Sequence, residues 1–343
     1  MRHFTRFSDL GVSGMDAVLG TALAWKKQPP GAHLRDQLLG MVFFNPSLRT
    51  RASFEAAMLR GGGHAIVLEV GGGVWKLEDR AGAVMDGDRP EHIREAIPVL
   101  GRYVDALAVR TFASLANDDA DAADPVISAF RELAGVPVVS MESAREHPCQ
   151  GLADLLTIRE RFGKTRGLPV TLIWAPHIKP LPKAVPHSFL LTAAAAGCEV
   201  RIAHPPGFNL HPAVLEEACR YAAESGGAVT VTHDRNAALA GSRVVYAKSW
   251  GPATNNVPPV EAAAQVAAHK DWLVTGKTLA AAARDAIFLH CLPVRRNVEV
   301  ADEVLDGAHS RVLDQAENRF HVQRVLLHAL LNQKKEARHV HVA

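Results

Sequence analysis

The sequence predicts an α/β fold: two doubly wound parallel-sheet domains joined by interdomain helices. Short apolar runs of strand length alternate with amphipathic helical stretches along all 343 residues, the pattern of parallel strands with crossover helices. The length, with a 48% hydrophobic share, suits two domains with a core each. Polar residues also collect just after the strand runs, where open parallel sheets place their ligands.

In the first half, strands are expected at residues 40–44, 65–70, 106–109 and 136–140, with helices at 15–26, 51–59, 91–104 and 126–133. In the second half, strands at 170–174, 199–203, 229–232, 244–247 and 287–290 alternate with helices in the same way. A boundary is expected around a helix at 147–162, before the turn that opens at Gly163, giving domains of residues 1–150 and 151–315. A last periodic segment, 316–331, is long enough to return across both domains, so residues 316–343 are expected to complete the first. Gly71-Gly72-Gly73 and residues 252–259, which contain Asn255-Asn256, have loop composition.

Several classes are excluded early. The formal charge is +2 and no lysine-arginine block stands out, so nucleic acid is not expected as a partner. Met1-Arg2-His3-Phe4 leads into no apolar signal core, and no apolar run is long enough to span a bilayer. A cytoplasmic protein without membrane contact is expected. Cys149, Cys198, Cys219 and Cys291 are far apart, which argues against a disulfide framework or a zinc site, and the histidines lack ligand spacing. No strand is followed by the glycine pattern of a dinucleotide site.

The first strand run breaks at Asn45-Pro46, and Ser47-Leu48-Arg49-Thr50-Arg51 opens a helix whose apolar face is expected to hold Phe54, Met58 and Leu59. A helix start carries unpaired amide hydrogens and the positive dipole end, so hydroxyls and guanidinium groups there form a socket for a dianion such as phosphate. A lone Ser-x-Arg-Thr is commonly only a cap; the longer string Ser47-Leu48-Arg49-Thr50-Arg51-Ala52-Ser53-Phe54-Glu55 is more specific. It resembles the carbamoyl-phosphate signature of the aspartate and ornithine carbamoyltransferases.

Other strand ends fit the same resemblance. Arg110-Thr111 follows the 106–109 run, Glu142 follows 136–140, and His147-Pro148-Cys149-Gln150 matches a His-Pro-x-Gln element. His290-Cys291-Leu292-Pro293-Val294-Arg295 and Glu317-Asn318-Arg319 match the late elements. The resemblance implies carbamoyl transfer from carbamoyl phosphate to an amine, with domain 1–150 binding carbamoyl phosphate and domain 151–315 the amine. Charge develops on the carbonyl oxygen as the tetrahedral intermediate forms. Arg110, His147 and Thr50 are the candidates to polarise that oxygen, and Gln150 to fix the carbamoyl nitrogen. Ser47, Leu48, Arg49, Arg295 and Arg319 complete the anion set. Cys291 has no base partner beyond neighbouring His290, and the amine is itself the nucleophile; Cys291 and Leu292 are therefore expected to position the reacting groups. No metal or organic cofactor is implied.

The second substrate is read from departures. Ornithine carbamoyltransferases carry a Ser-Met-Gly loop where this chain has Tyr246-Ala247-Lys248-Ser249-Trp250-Gly251. A lysine repels a free α-ammonium and attracts an α-carboxylate, which favours an ornithine whose α-amine is acylated. The aspartate branch's own lysine loop is not seen. The chain is most similar to the acylornithine carbamoyltransferases, where glutamate two residues after Met-Asp-Gly-Asp marks the acetyl branch and proline the succinyl branch. Here Met85-Asp86-Gly87-Asp88 is followed by Arg89-Pro90, which points to N-succinylornithine, with N-acetylornithine as the alternative. Pro90 equally suits a helix start.

His177 and Lys179 are candidate cations for the additional carboxylate, and Glu142, Lys248, Cys291, Leu292, Arg295 and Pro90 complete the expected acylornithine set. Glu299 is either a solvated first-turn acid or a neutralising partner of Arg295 or Lys248. Trp75 is either a local plug or, by the resemblance, a residue lent by a neighbouring subunit to cover carbamoyl phosphate, which implies a homotrimer with shared sites. A non-catalytic anion sensor on the same fold is the competing class.

Overall fold

The computed structural model describes residues 1–71, 75–80, 82–253 and 257–339, without the side chains of 333–339. Gly72, Gly73, Asn255 and Asn256 of the expected loops, and the end of the expected last segment beyond 339, lie outside them. The strands are β1 (Leu38–Phe43), β2 (His64–Glu69), β3 (Leu77–Glu78), β4 (Glu91–His92), β5 (Ala106–Arg110), β6 (Val138–Glu142), β7 (Pro169–Trp174), β8 (Glu199–Ala203), β9 (Ala228–Thr232), β10 (Val244–Lys248) and β11 (Ile287–Leu289). The chain forms two compact units. One comprises residues 1–112, 124–143 and 319–343, and the other 113–123 and 144–318.

The first unit holds a parallel sheet in the order β2-β1-β5-β6. β1, β5 and β6 are buried almost end to end, as expected of a parallel sheet covered on both faces. Val42, Leu107, Val109 and Val138 pack with Ile97 of helix Ile93–Tyr103 and with Ile127 and Phe130 of helix Pro125–Leu133. β6 begins two residues later than the apolar run predicts because Pro137 has no amide hydrogen to give the ladder; its carbonyl still accepts from the Leu107 amide. At its other end the strand runs on to Glu142, which pairs with Arg110. Helix Ile93–Tyr103 likewise starts two residues late, because Glu91 and His92 pair in parallel with Leu77 and Glu78.

The second unit is built on the order β11-β10-β7-β8-β9, again all parallel. Helix Ala184–Ala195 is buried along its whole length, so its apolar composition reflects burial from every side. Residues 113–123 join this unit through Lys183 Nζ donating to Asp118 at 2.6 Å and His211 against Asp119 at 3.1 Å. Among the described residues, no helix is long and apolar enough to cross a membrane.

Candidate active site

In the first unit, the chain leaves β1 at Phe43 and turns into helix Leu48–Arg60, with Ser47 extended at its N-cap and accepting from the Thr50 amide at 3.3 Å. The first turn contains no acidic side chain, so nothing in it offsets the positive end of the helix. Thr50 is fully buried. Its Oγ1 accepts from Arg319 Nη2 at 2.6 Å and Arg110 Nη1 at 3.5 Å, which engages its lone pairs and leaves its hydroxyl hydrogen to donate.

Arg110 is placed by β5. The register with β6 shifts between Val109 and Arg110, so that Arg110 lies opposite Glu142, and its Nη1 bonds Glu142 Oε2 at 2.5 Å. The guanidinium also lies over the Phe112 ring at 4.6 Å. Arg110 Nε is buried without a hydrogen-bond partner among the described residues. The unit thus brings Ser47, Thr50, Arg110, Glu142 and Arg319 together, with Arg49 in the first helical turn. Leu48 points its side chain to solvent, 82% exposed, and Leu59 is exposed too, one position round the helix from the buried Phe54–Met58 face expected to hold it; Arg51 pairs with Glu55 and Glu69 at the surface.

Trp75 is 55% exposed, which removes the local-plug reading, and its indole nitrogen donates to Glu91 at 2.6 Å. Pro90 is exposed beside this contact. The neighbouring segment is fastened by Arg89 to Glu78 and Asp79 and by Lys76 to Asp88.

In the second unit, His147 precedes helix Pro148–Phe162 and its amide donates to Ser188 Oγ at 2.7 Å. Gly151 makes this approach possible, since a Cβ there would meet the Ser188 carbonyl at 2.7 Å. One turn along, Gln150 Nε2 donates to Asp154 Oδ1 at 2.7 Å. Gln315 Nε2 donates to the same oxygen at 2.6 Å, while Gln315 Oε1 accepts from the His290 amide at 2.9 Å. The Tyr246 hydroxyl is held well above its usual pKa by burial first, then by the charge of Asp154 and by Cys291.

Cys291 is buried, and Leu292 takes a left-handed φ of 57° before a cis peptide bond to Pro293. The Arg295 amide donates to Glu299 Oε2 at 2.6 Å, and its Nε donates to His177 Nε2 at 3.1 Å. Burial, the largest influence on His177, lowers its pKa. The ring is therefore neutral at pH 7 and holds Arg295 rather than supplying a second cation. Lys248 is buried, with its ammonium donating to the Ser249 carbonyl at 3.1 Å.

Glu299 is 1% exposed and not a solvated first-turn acid. Burial by itself would raise its pKa, but the His290 ring 3.8 Å away, the charge of Lys248 and the Arg295 amide outweigh it and bring it from 4.5 to about 2. A carboxyl whose folded pKa lies below its unfolded value stabilises the fold above pH 4.5 and loses that contribution as pH falls through about 2. Glu299→Gln is expected to lower unfolding stability at pH 7 by about 3 kcal/mol. Urea melts of both proteins from pH 7 to pH 2.5 check this: the difference should shrink toward the acid end.

Three contributors had no motif to announce them: Asp154, Gln315 and the Asp118–Lys183 pair. Asp154 alone left a signal, lying four residues after Gln150 on one helix face. A separate cavity of about 600 Å³ in this unit is lined by Leu115, Asp118, Lys179, Leu181, Lys183 and Pro259 among others. Among the described residues, no cluster of histidine, cysteine and acidic side chains could hold a metal ion.

The sequence pattern of the aspartate/ornithine carbamoyltransferase carbamoyl-P binding domain matches residues 2–160, and that of the family's Asp/Orn binding domain matches residues 182–330. The chain is 40% identical over 340 residues to an N-acetylornithine carbamoyltransferase of Xanthomonas campestris pv. campestris, covering 98% of this chain and 99% of that protein. It is 41% identical over 298 residues to an N-succinylornithine carbamoyltransferase of Bacteroides fragilis, covering 87% and 88%. A crystal structure of a glutamate-to-proline variant of N-acetyl-L-ornithine transcarbamylase, complexed with carbamyl phosphate and N-succinyl-L-norvaline, superposes with a TM-score of 0.91 at 40% identity, covering 96% of this chain and all of the other. With both halves of the sequence pattern matched and relatives of this identity along nearly its full length, the chain belongs to the aspartate/ornithine carbamoyltransferase family.

Proposed function

We propose that this protein transfers the carbamoyl group of carbamoyl phosphate to the δ-amine of N-succinyl-L-ornithine, giving N-succinyl-L-citrulline and phosphate in arginine biosynthesis. The observation that carries the carbamoyl-phosphate half is the buried Thr50 hydroxyl held by Arg110 and Arg319 beside an acid-free helix start. On this reading Ser47, Leu48 through its backbone amide, Arg49, Thr50 and Arg319 hold the phosphate, and Arg110 with His147 polarises the carbonyl oxygen. The δ-amine attacks the carbonyl carbon, the bond from that carbon to the bridging oxygen breaks, and the departing phosphate takes the amine's proton. No enzyme nucleophile is required, and Cys291 and Leu292 position the acceptor.

Lys248 supports an acylated acceptor, because its buried ammonium disfavours a free α-amine and suits an α-carboxylate. Pro90 supports the succinyl group, since a glutamate at that place would repel the succinyl carboxylate. The named glutamate-to-proline variant, crystallised with a succinyl analogue, fits the same reasoning. The acetyl reading draws its support from the N-acetylornithine enzymes that match over 97–98% of this chain. We read the assembly as a cytoplasmic homotrimer in which the exposed Trp75 serves a neighbouring subunit.

The deciding experiment compares kcat/KM for N-succinylornithine, N-acetylornithine and ornithine with carbamoyl phosphate. Preference for the succinyl compound is expected. Preference for the acetyl compound keeps the chemistry and overturns the role of Pro90, and preference for ornithine overturns that of Lys248. Carbamoyl-phosphate binding without turnover on any of the three amines would establish the sensor reading instead.

A further inference from the structure

A carboxylate accepts hydrogen bonds and cannot donate them, whereas a side-chain amide offers one of each kind of end. Asp154 lies fully buried one helical turn beyond Gln150, and whichever end of the Gln150 amide faces a carboxylate must be the NH2 end. That is the arrangement seen, with Nε2 at 2.7 Å from Asp154 Oδ1. The opposite end, Gln150 Oε1, is buried with no hydrogen-bond partner among the described residues. An acceptor left in this way matches a donor on a ligand, and carbamoyl phosphate carries such a donor in its NH2 group.

The same Oδ1 receives Gln315 Nε2 at 2.6 Å, and this fixes Gln315 in turn with its own oxygen toward the His290 amide at 2.9 Å. One carboxylate therefore sets the direction of two amides. One would read the carbamoyl nitrogen; the other anchors the segment that continues into Cys291 and Leu292.

Resting on the function proposed above, we propose that Asp154 is a positioning residue for carbamoyl transfer: it locks the Gln150 amide with its oxygen toward the carbamoyl NH2, and so lets the enzyme tell carbamoyl phosphate from acyl phosphates of the same shape. Acetyl phosphate replaces that NH2 with a methyl group, leaving Gln150 Oε1 buried and unpaired. A site built to bond an N–H rejects the analogue lacking it far more strongly than a site that reads shape alone.

The test measures kcat/KM for carbamoyl phosphate and the inhibition constant of acetyl phosphate in the full-length enzyme. Asp154→Asn replaces the acceptor by a group that can donate, so the Gln150 amide is free to turn over and set its NH2 against the carbamoyl NH2. The expected result is at least a 10-fold loss in the preference for carbamoyl over acetyl phosphate, with the larger part in KM. Gln150→Met should show the same loss, and adding Asp154→Asn to it should change the preference no further.

A merely structural Asp154 would lower stability and kcat while leaving that preference alone, which overturns the inference. Should Asp154→Asn fail to fold, Gln150→Glu carries the test. It sets two carboxyl groups at the 2.7 Å contact, where they share a proton, so its transfer rate should decline with rising pH through a range where wild type is flat. A flat profile for that variant overturns the inference as well. Wild-type enzyme without carbamoyl transfer would instead overturn the function on which the inference rests.

Discussion

Arg110→Met is expected to lower kcat/KM for carbamoyl transfer by about 10³-fold or more, the scale of removing one preorganised oxyanion donor together with a fixed charge. The geometry shows how it is held in place. One guanidinium nitrogen is committed to Glu142 and Thr50, the face lies over Phe112, and Nε is buried without a hydrogen-bond partner among the described residues. Arg110→Lys keeps the charge but not the planar fork, and a loss of about 10²-fold is expected from that change alone. Removing the cation also takes the Arg110 contact from the buried Glu142 carboxylate, a cost of about 3–5 kcal/mol, so lost activity by itself would not separate chemistry from folding. Pairing Arg110→Met with Glu142→Gln, read against Glu142→Gln alone, does separate them. The double variant should recover most of the unfolding stability measured in urea and none of the activity. Recovered turnover would remove Arg110 from the transfer step.

The chain's alternating pattern made both sheets legible because a parallel sheet buried on two faces is written as uninterrupted apolar runs, and β1, β5 and β10 are such runs. The ends of elements were less legible. Pro137 delays β6, and pairing with the two-residue β3 turns the first expected helical residues, Glu91 and His92, into a strand; neither effect has a period to detect. Strand-end residues such as Arg110 and Glu142 were readable because the fold class fixes where strand ends lead. Their partners were not. Asp154 and Gln315 meet across 161 positions of sequence, and no local pattern encodes that contact. Likewise, the neutral state of His177 follows from burial and from Arg295 donating to it, whereas the loop that carries it reads as basic and exposed.

Pro90→Glu is expected to lower kcat/KM for N-succinylornithine by about 10²-fold while sparing N-acetylornithine. One close pair of like charges at a partly screened site costs about 3 kcal/mol, and that cost falls only on the acceptor with the additional carboxylate. The position tolerates the change structurally. Pro90 is exposed, and the contacts that fix its segment belong to other residues: Glu91 accepts from Trp75 at 2.6 Å, and His92 caps helix Ile93–Tyr103 by accepting from the Arg94 amide at 3.1 Å. Surface substitutions away from such features usually move stability by about 0.5 kcal/mol or less, so the loss should sit in KM for the succinyl acceptor and not in protein yield or melting temperature. Charge and volume are told apart by Pro90→Gln, which nearly matches the glutamate in size and lacks its charge. If repulsion governs the choice, the glutamine variant keeps most of the succinyl activity, and the glutamate variant's deficit shrinks as salt is raised, because screening shortens the reach of the repulsion. Equal losses in both variants at every ionic strength would mean that the acyl group is selected by space alone, and an unchanged substrate preference in both would remove Pro90 from the acyl site.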